Sequence, residues 1–197
     1  RTNVSYYDRK LAKDYPDSRV RLADEGTLAA DLKSLFHLHQ KRWNARFLPG
    51  VMGSSSAQSF HSTFAGTALV NGWLRLHMID IDQRAVSALY CFEFRNRYYY
   101  YLGGFDPEFN KLSLGTVLTA RAIFAAIEAG CTEFDFLRGA EPYKKRWTSD
   151  ERWNYRLLAP GQSKFGSTIM LKINELEIYL EHTAKAYAEK RGRKGEN

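Results

Sequence analysis

Along the chain, apolar residues first recur at helical spacing. Leu28, Leu32, Leu35, Phe36 and Trp43 predict an amphipathic helix from Thr27 to about Asn44. The preceding residues 1–23 are polar and basic, contain Pro16, and read as a short helix or an extended arm before a turn at Asp24-Glu25-Gly26. Phe60, Phe64 and Leu69 mark a second helix ending near Asn71-Gly72. Between the two helices, Pro49-Gly50 and Gly53-Ser54-Ser55-Ser56 form the most loop-like stretch, read as a mobile lid. The spacing then becomes strand-like. Trp73–Ile79 alternates, Asp80 to Arg84 makes a turn, and Ala85–Phe94 and Tyr98–Gly103 follow, joined at Arg95-Asn96-Arg97. This is an antiparallel meander. A long apolar helix from Ser113 to Ala129 is closed by Gly130, so the strand after it, Thr132–Leu137, should run parallel to Tyr98–Gly103. Arg152–Leu158 reads as one more strand, and Ile169, Ile173, Leu176, Leu180 and Tyr187 line one face of a final helix.

That order describes an α/β domain with a mixed, mostly antiparallel sheet flanked by helices. At 197 residues the chain has room for one domain with a sizeable core. No apolar run reaches the length needed to span a bilayer, the opening Arg1-Thr2-Asn3 shows no secretory signal, and a cytoplasmic location is the expectation. Cys91 and Cys131 suit a reducing compartment and read as buried thiols. A net charge of +7 and a pI near 9.4 favour anionic partners such as the pyrophosphate of CoA, nucleotide sugars, acidic glycans, tRNA or a membrane surface. Part of that charge lies in the tail at Lys190–Lys194. His37 and His39, with His61 and His77, lack ligand spacing and carboxylate or thiol partners, so no metal site is expected.

The chemistry concentrates at Phe134–Trp147, where Arg138, Glu141, Tyr143, Lys144, Lys145, Arg146 and Trp147 follow the end of an apolar strand. A carboxylate and a phenol there, Glu141 and Tyr143, suit general acid–base work; the alternative is a structural ion pair between Glu141 and Lys145 or Arg146. Arg138 and Lys144 beside Trp147 suit an anionic sugar or nucleotide, or a solvated basic turn. Asp135 is expected to pair with Arg138 or another cation, and Asp106-Pro107 to start a turn. Ser113-Leu114-Gly115-Thr116 opens the long helix, whose first N–H groups have no intrahelical partner. Two interpretations stand here: an anion site, or a serine cap with a tolerated glycine. At least two of the four tyrosines Tyr98–Tyr101 are expected to be structural.

The phrase FDFLRG-x-E-x-YK-x-x-W, with Gly103-Gly104-Phe105-Asp106-Pro107 and Leu112–Gly115, resembles GNAT-like acetyltransferases of the Fem-type/GNAT superfamily. Within that set it is most similar to the branch associated with cellulose and exopolysaccharide biosynthesis in bacteria. The resemblance runs from about Leu28 to Pro160. It implies an acyltransferase that moves an acetyl or other acyl group from acyl-CoA to an amine or hydroxyl of a cell-envelope or exopolysaccharide precursor. It also implies that residues 1–197 form the C-terminal half of a longer protein with two GNAT-like halves, partnered by an N-terminal half or by a second copy. By the same resemblance the CoA pyrophosphate lies at Asn110, Ser113, Leu114, Gly115 and Thr116. The family signature there is Gln/Arg-x-x-Gly-x-Gly/Ala, which only Gly115 matches, so a Fem-type aminoacyl-tRNA donor and a non-catalytic scaffold stand as alternatives. Gly103 and Gly104 are expected to supply the oxyanion donors, Tyr143 the general acid, and His39 and Trp43 a position near the acceptor cleft.

Overall fold

The computed structural model describes residues 4–44, 52–139, 141–155, 157, 169–176, 178–180 and 183. Two compact units arise: residues 1–45 with 49–148, and residues 46–48 with 149–197.

The larger unit holds a five-stranded sheet in the order β1-β2-β3-β4-β5. Helix α1 (Val4–Asp14) precedes β1 (Arg19–Leu22), which pairs antiparallel with β2 (Leu74–Ile81). The basic arm expected at 1–23 is therefore a helix plus an edge strand. Four residues of Arg-Val-Arg-Leu, with Val20 and Leu22 exposed, carry too little alternation to announce a strand. Arg21 fastens that edge. Its guanidinium meets Asp31 at 2.7 Å and also contacts Asp80, and these carboxylates raise its pKa despite partial burial.

Helix α2 (Leu28–Asn44) starts where Asp24 Oδ1 accepts the N–H groups of Gly26 and Thr27. Helix α3 (Ser55–Val70) starts at Ser54, whose hydroxyl accepts the Ala57 N–H. The serine stretch assigned to a lid is thus in part a helix cap and first turn, and residues 45–51 lie outside the described part. The meander β2, β3 (Arg84–Phe94) and β4 (Arg97–Phe105) turns at Asp82-Gln83 and Arg95-Asn96, all four at positive φ as two-residue hairpins require. Helix α4 (Leu114–Glu128) ends at Gly130, φ +70°, and β5 (Glu133–Asp135) pairs parallel with β4. The crossover and the C-terminal glycine are as the pattern predicts.

Each sheet face has its own core. Val86, Leu89, Cys91, Tyr98, Tyr100, Val117, Leu118 and Ala122 pack on the α4 side. Leu32, Leu35, Leu38, Leu76, Met78, Tyr90 and Leu102 pack on the α2 and α3 side. Cys91 is a buried free thiol and Cys131 a half-buried one. In the smaller unit, residues 152–155 and 157 have no regular secondary structure, so among the described residues the strand expected at 152–158 is not formed. Residues 169–176 and 178–180 are helical, with Ile169, Ile173, Leu176 and Leu180 exposed; Tyr187 lies outside the described residues. Among the described residues no helix is long and apolar enough to cross a membrane.

Candidate functional site

Strand β4 is paired along its length with β3, whereas β5 reaches only Arg97–Tyr99. Tyr100 to Phe105 therefore extend past the end of β5. Within that stretch lies a β-bulge: Tyr90 pairs with Leu102 and Cys91 with Tyr100, which leaves Tyr101 as the extra residue. Tyr98 and Tyr100 turn toward α4, while Tyr101 and Leu102 both turn toward α2 and α3. Two of the four tyrosines are buried core, as expected, and Tyr101 is 40% exposed.

The glycines beyond the bulge differ in role. A Cβ on Gly104 would lie 2.4 Å from the His39 backbone nitrogen, so this glycine lets α2 cross directly over the strand. Asp106 N–H donates to Val86 O, and the alternation of an antiparallel ladder then points Gly104 N–H at β3 and Gly103 N–H away from it. Of the two expected oxyanion donors, Gly104 is thus committed to the ladder. Gly103 O receives the buried His39 ring, Nδ1 at 3.4 Å, which brings His39 to this strand. Trp43 is in α2, and its side chain lies outside the described part.

After β4, Asp106 caps a 3-10 helix (Pro107–Leu112), accepting the Glu108 N–H, and binds Lys41 at 2.7 Å. Burial pushes its carboxyl up, but Lys41, the Glu108 N–H and Arg84 outweigh that and hold it below the usual carboxylate range. Its expected turn role holds, with an ion pair to α2 added. Ser113 then takes a left-handed conformation, φ 48° and ψ 44°, and its side chain makes no cap bond. A serine cap is thus not formed. Ser113 O accepts the N–H of Thr116 and Val117, leaving those of Leu114 and Gly115 in the uncapped first turn. A Cβ at Gly115 would meet only the Phe105 ring, at 3.8 Å. Uncapped N–H groups at the positive end of a four-turn apolar helix, flanked by exposed Asn110, fit a pyrophosphate.

Beyond β5 the chain winds tightly. Asp135 Oδ1 accepts the Leu137 N–H at 2.7 Å, so its bond is to the backbone rather than to the expected cation. Leu137 has φ 55° and Gly139 φ 116°. A Cβ on residue 139 would lie 2.5 Å from the Glu141 carboxylate. Lys144 is buried, its ammonium 2.9 Å from Glu141 and bonded to the carbonyls of Leu137, Arg138 and Gly139. Its donors fasten the loop, and Glu141 pairs with it rather than with Lys145 or Arg146. Tyr143 is half-buried between Tyr100 and Phe136, ring centroids 6.0 and 6.5 Å away. Arg138 is exposed and Trp147 half-buried on the same loop.

On the α3 side stands a group that sequence reasoning left unassigned. His61 is 7% exposed; its Nε2 lies 3.4 Å from the Tyr101 hydroxyl, and its ring meets the Tyr90 ring edge-on at 5.8 Å. Burial lowers its pKa. His61 Nδ1 and the Tyr90 hydroxyl have no hydrogen-bond partner among the described residues, each at a cost of about 1–3 kcal/mol. Phe60, Phe64 and Phe92 surround the group, Phe60 stacked on Phe64 at 5.9 Å. Nothing in the run Tyr98–Tyr101 marks the bulge, which arises from the register with β3. Among the described residues no cluster of metal-ligating side chains occurs.

The fold is found in solved acetyltransferases. A crystal structure of an acetyltransferase with acetyl-CoA from Clostridium acetobutylicum superposes with a TM-score of 0.55 at 14% identity, covering 72% of this chain and 96% of that one. A GCN5-related N-acetyltransferase from Ralstonia eutropha gives 0.54 at 14% identity, covering 72% and 99%. An aminoglycoside antibiotic 6′-N-acetyltransferase from Acinetobacter baumannii gives 0.52 at 16% identity, covering 73% and 99%. No curated protein matches by sequence. The acetyltransferase (GNAT) domain model matches residues 1–145, the helices, the meander, the crossover and the loop of Tyr143, and the chain belongs to the GNAT acetyltransferase family.

Proposed function

We propose that this acyltransferase moves an acyl group from acyl-CoA to an amine or hydroxyl of a sugar-containing cell-envelope or exopolysaccharide precursor. Acyl-CoA is the donor that a GNAT acetyltransferase uses. The uncapped first turn of α4 binds its pyrophosphate through the Leu114 and Gly115 N–H groups, with Asn110, Ser113 and Thr116 around it. The donor's acyl end then lies along β4 beyond the end of β5, where the Gly103 backbone polarises the carbonyl.

Transfer joins the acceptor nitrogen or oxygen to the acyl carbon and breaks the carbon–sulfur bond. A proton must leave the acceptor and one must reach the thiolate. Tyr143, on the loop next to Tyr100, supplies the second proton. Glu141, paired with Lys144, holds that loop in its path, and Arg138 and Trp147 contact the acceptor from the same loop. His39 orders β4 through Gly103.

The observation that carries the sugar acceptor is the aromatic surface beside the bulge. Phe60 is 62%, Phe64 36% and Tyr101 40% exposed, and they surround buried polar atoms without partners among the described residues. Flat apolar faces next to hydrogen-bonding groups suit a sugar ring, which has an apolar face and a polar rim. Calorimetry with acetyl-CoA, followed by thiol release in the presence of amino sugars, tests this function. Binding of acetyl-CoA with transfer to the sugar is expected. Binding of aminoacyl-tRNA in its place would replace the donor.

A further inference from the structure

We propose that Tyr101 and His61 form the proton-accepting pair for the acceptor, the Tyr101 hydroxyl touching the nucleophile and the His61 imidazole taking the proton through it. The inference rests on the acyl-transfer function above and assigns the one proton that function leaves without a recipient.

Three observations converge on the pair. The bulge puts Tyr101 beside Leu102 on the α2 and α3 face, on the part of β4 that extends past β5. The Tyr101 hydroxyl lies 3.4 Å from His61 Nε2, and His61 Nδ1 and the Tyr90 hydroxyl are buried without partners among the described residues. Such atoms are disfavoured in a site that serves packing alone. Finally, Tyr101 is exposed while His61 is buried, so the pair has one end at the surface and one end screened from water.

The groups that face His61 are Tyr90 from β3, whose hydroxyl burial keeps protonated, and Tyr101 from β4; on α2, His39 is directed at Gly103 and Asp31 is paired with Arg21. With burial alone acting on it, the imidazole is neutral near pH 7 and able to accept. The nucleophile's lone pair forms the bond to the acyl carbon, and the carbon–sulfur electrons leave on sulfur. The nucleophile's proton passes to the Tyr101 oxygen as the Tyr101 proton passes to His61 Nε2. The thiolate takes the Tyr143 proton, and solvent returns imidazolium and phenolate to their starting states.

The test measures thiol release from acetyl-CoA with glucosamine, from about pH 5 to 9, for the wild type, His61→Gln and Tyr101→Phe, with acetyl-CoA affinity determined separately by calorimetry. The wild-type rate is expected to rise through an acid limb below about pH 6.5. His61→Gln should lose that limb and about 100-fold in kcat, and Tyr101→Phe about 10-fold or more, with acetyl-CoA affinity unchanged in both. A His61→Gln variant that keeps the acid limb and a kcat within about 3-fold of wild type would overturn the pair. So would a wild type that binds acetyl-CoA yet releases no thiol, and the donor assignment would then stand. A wild type that does not bind acetyl-CoA would remove the donor assignment and the pair together.

Discussion

The ring of Tyr98 in β4 lies on the ring of Phe134 in β5, centroids 5.4 Å apart and planes 12° from parallel. The Tyr98 hydroxyl meets His77 Nε2 of β2 at 2.5 Å, and Phe134 meets Phe136 edge-on at 5.0 Å. Three strands and the start of the Tyr143 loop are thus joined through side chains, where only three residues of β5 join β4 through the backbone. Phe134→Ala should destabilise the larger unit by about 2–3 kcal/mol, less than for a fully buried phenylalanine because the ring is half-buried. Denaturant unfolding checks the loss.

His77 sets a pH dependence. Burial and Arg75 push its pKa down to about 4, against about 6.5 in an unfolded chain. Between those values the unfolded chain binds the proton and the folded chain does not. The stability from neutral His77 is therefore full above about pH 6.5 and falls by about 3 kcal/mol as the pH drops to 4. His77→Gln, which keeps a partner for Tyr98, should flatten that part of the curve, while the smaller slope from His61 persists in the same direction. Unfolding midpoints of both proteins across the acid range test this.

Gly115→Glu places a carboxylate in the uncapped first turn of α4. Repulsion and bulk should reduce acetyl-CoA affinity by about 100-fold or more, and the fold should survive because a Cβ there meets only Phe105. Calorimetry reads the affinity and circular dichroism the fold. Unchanged affinity would move the pyrophosphate elsewhere.

Tyr143→Phe keeps the ring between Tyr100 and Phe136 and removes only the phenol. If the phenol protonates the leaving thiolate, kcat should fall by about 100-fold or more with KM nearly constant. Steady-state kinetics separates this from a binding role, in which KM alone would rise.

The elements built from near neighbours in sequence were legible. The two-residue hairpins, the apolar α4 and its closing Gly130 follow from local spacing, and the crossover rule then fixes β5 as parallel. What escaped depends on distant residues. β1 exists because β2 offers an edge and Arg21 finds Asp31 and Asp80. Gly104 is required by a helix that packs from 65 residues earlier, at His39. Lys144 looked like a surface cation of a basic cluster, and only the path of the loop brings three carbonyls to its ammonium. His61 stood alone in its helix, and its meaning arises from a tyrosine on another strand.

The bulge at Tyr101 carries a consequence for insertions and deletions. Because Tyr90 faces Leu102 and Cys91 faces Tyr100, excising residue 101 would join two segments already in register. Every other side chain of β4 would keep its face: Tyr100 toward α4, Leu102 toward α2, Gly104 under His39. The ladder would become more regular, so the strand pairing has no need of this residue, and the loss would fall on the contacts of its ring with His61, Tyr90 and Phe92. The protein thus carries one residue of β4 beyond what its strand register requires, and a one-residue deletion separates the pairing of the sheet from whatever Tyr101 does at the surface.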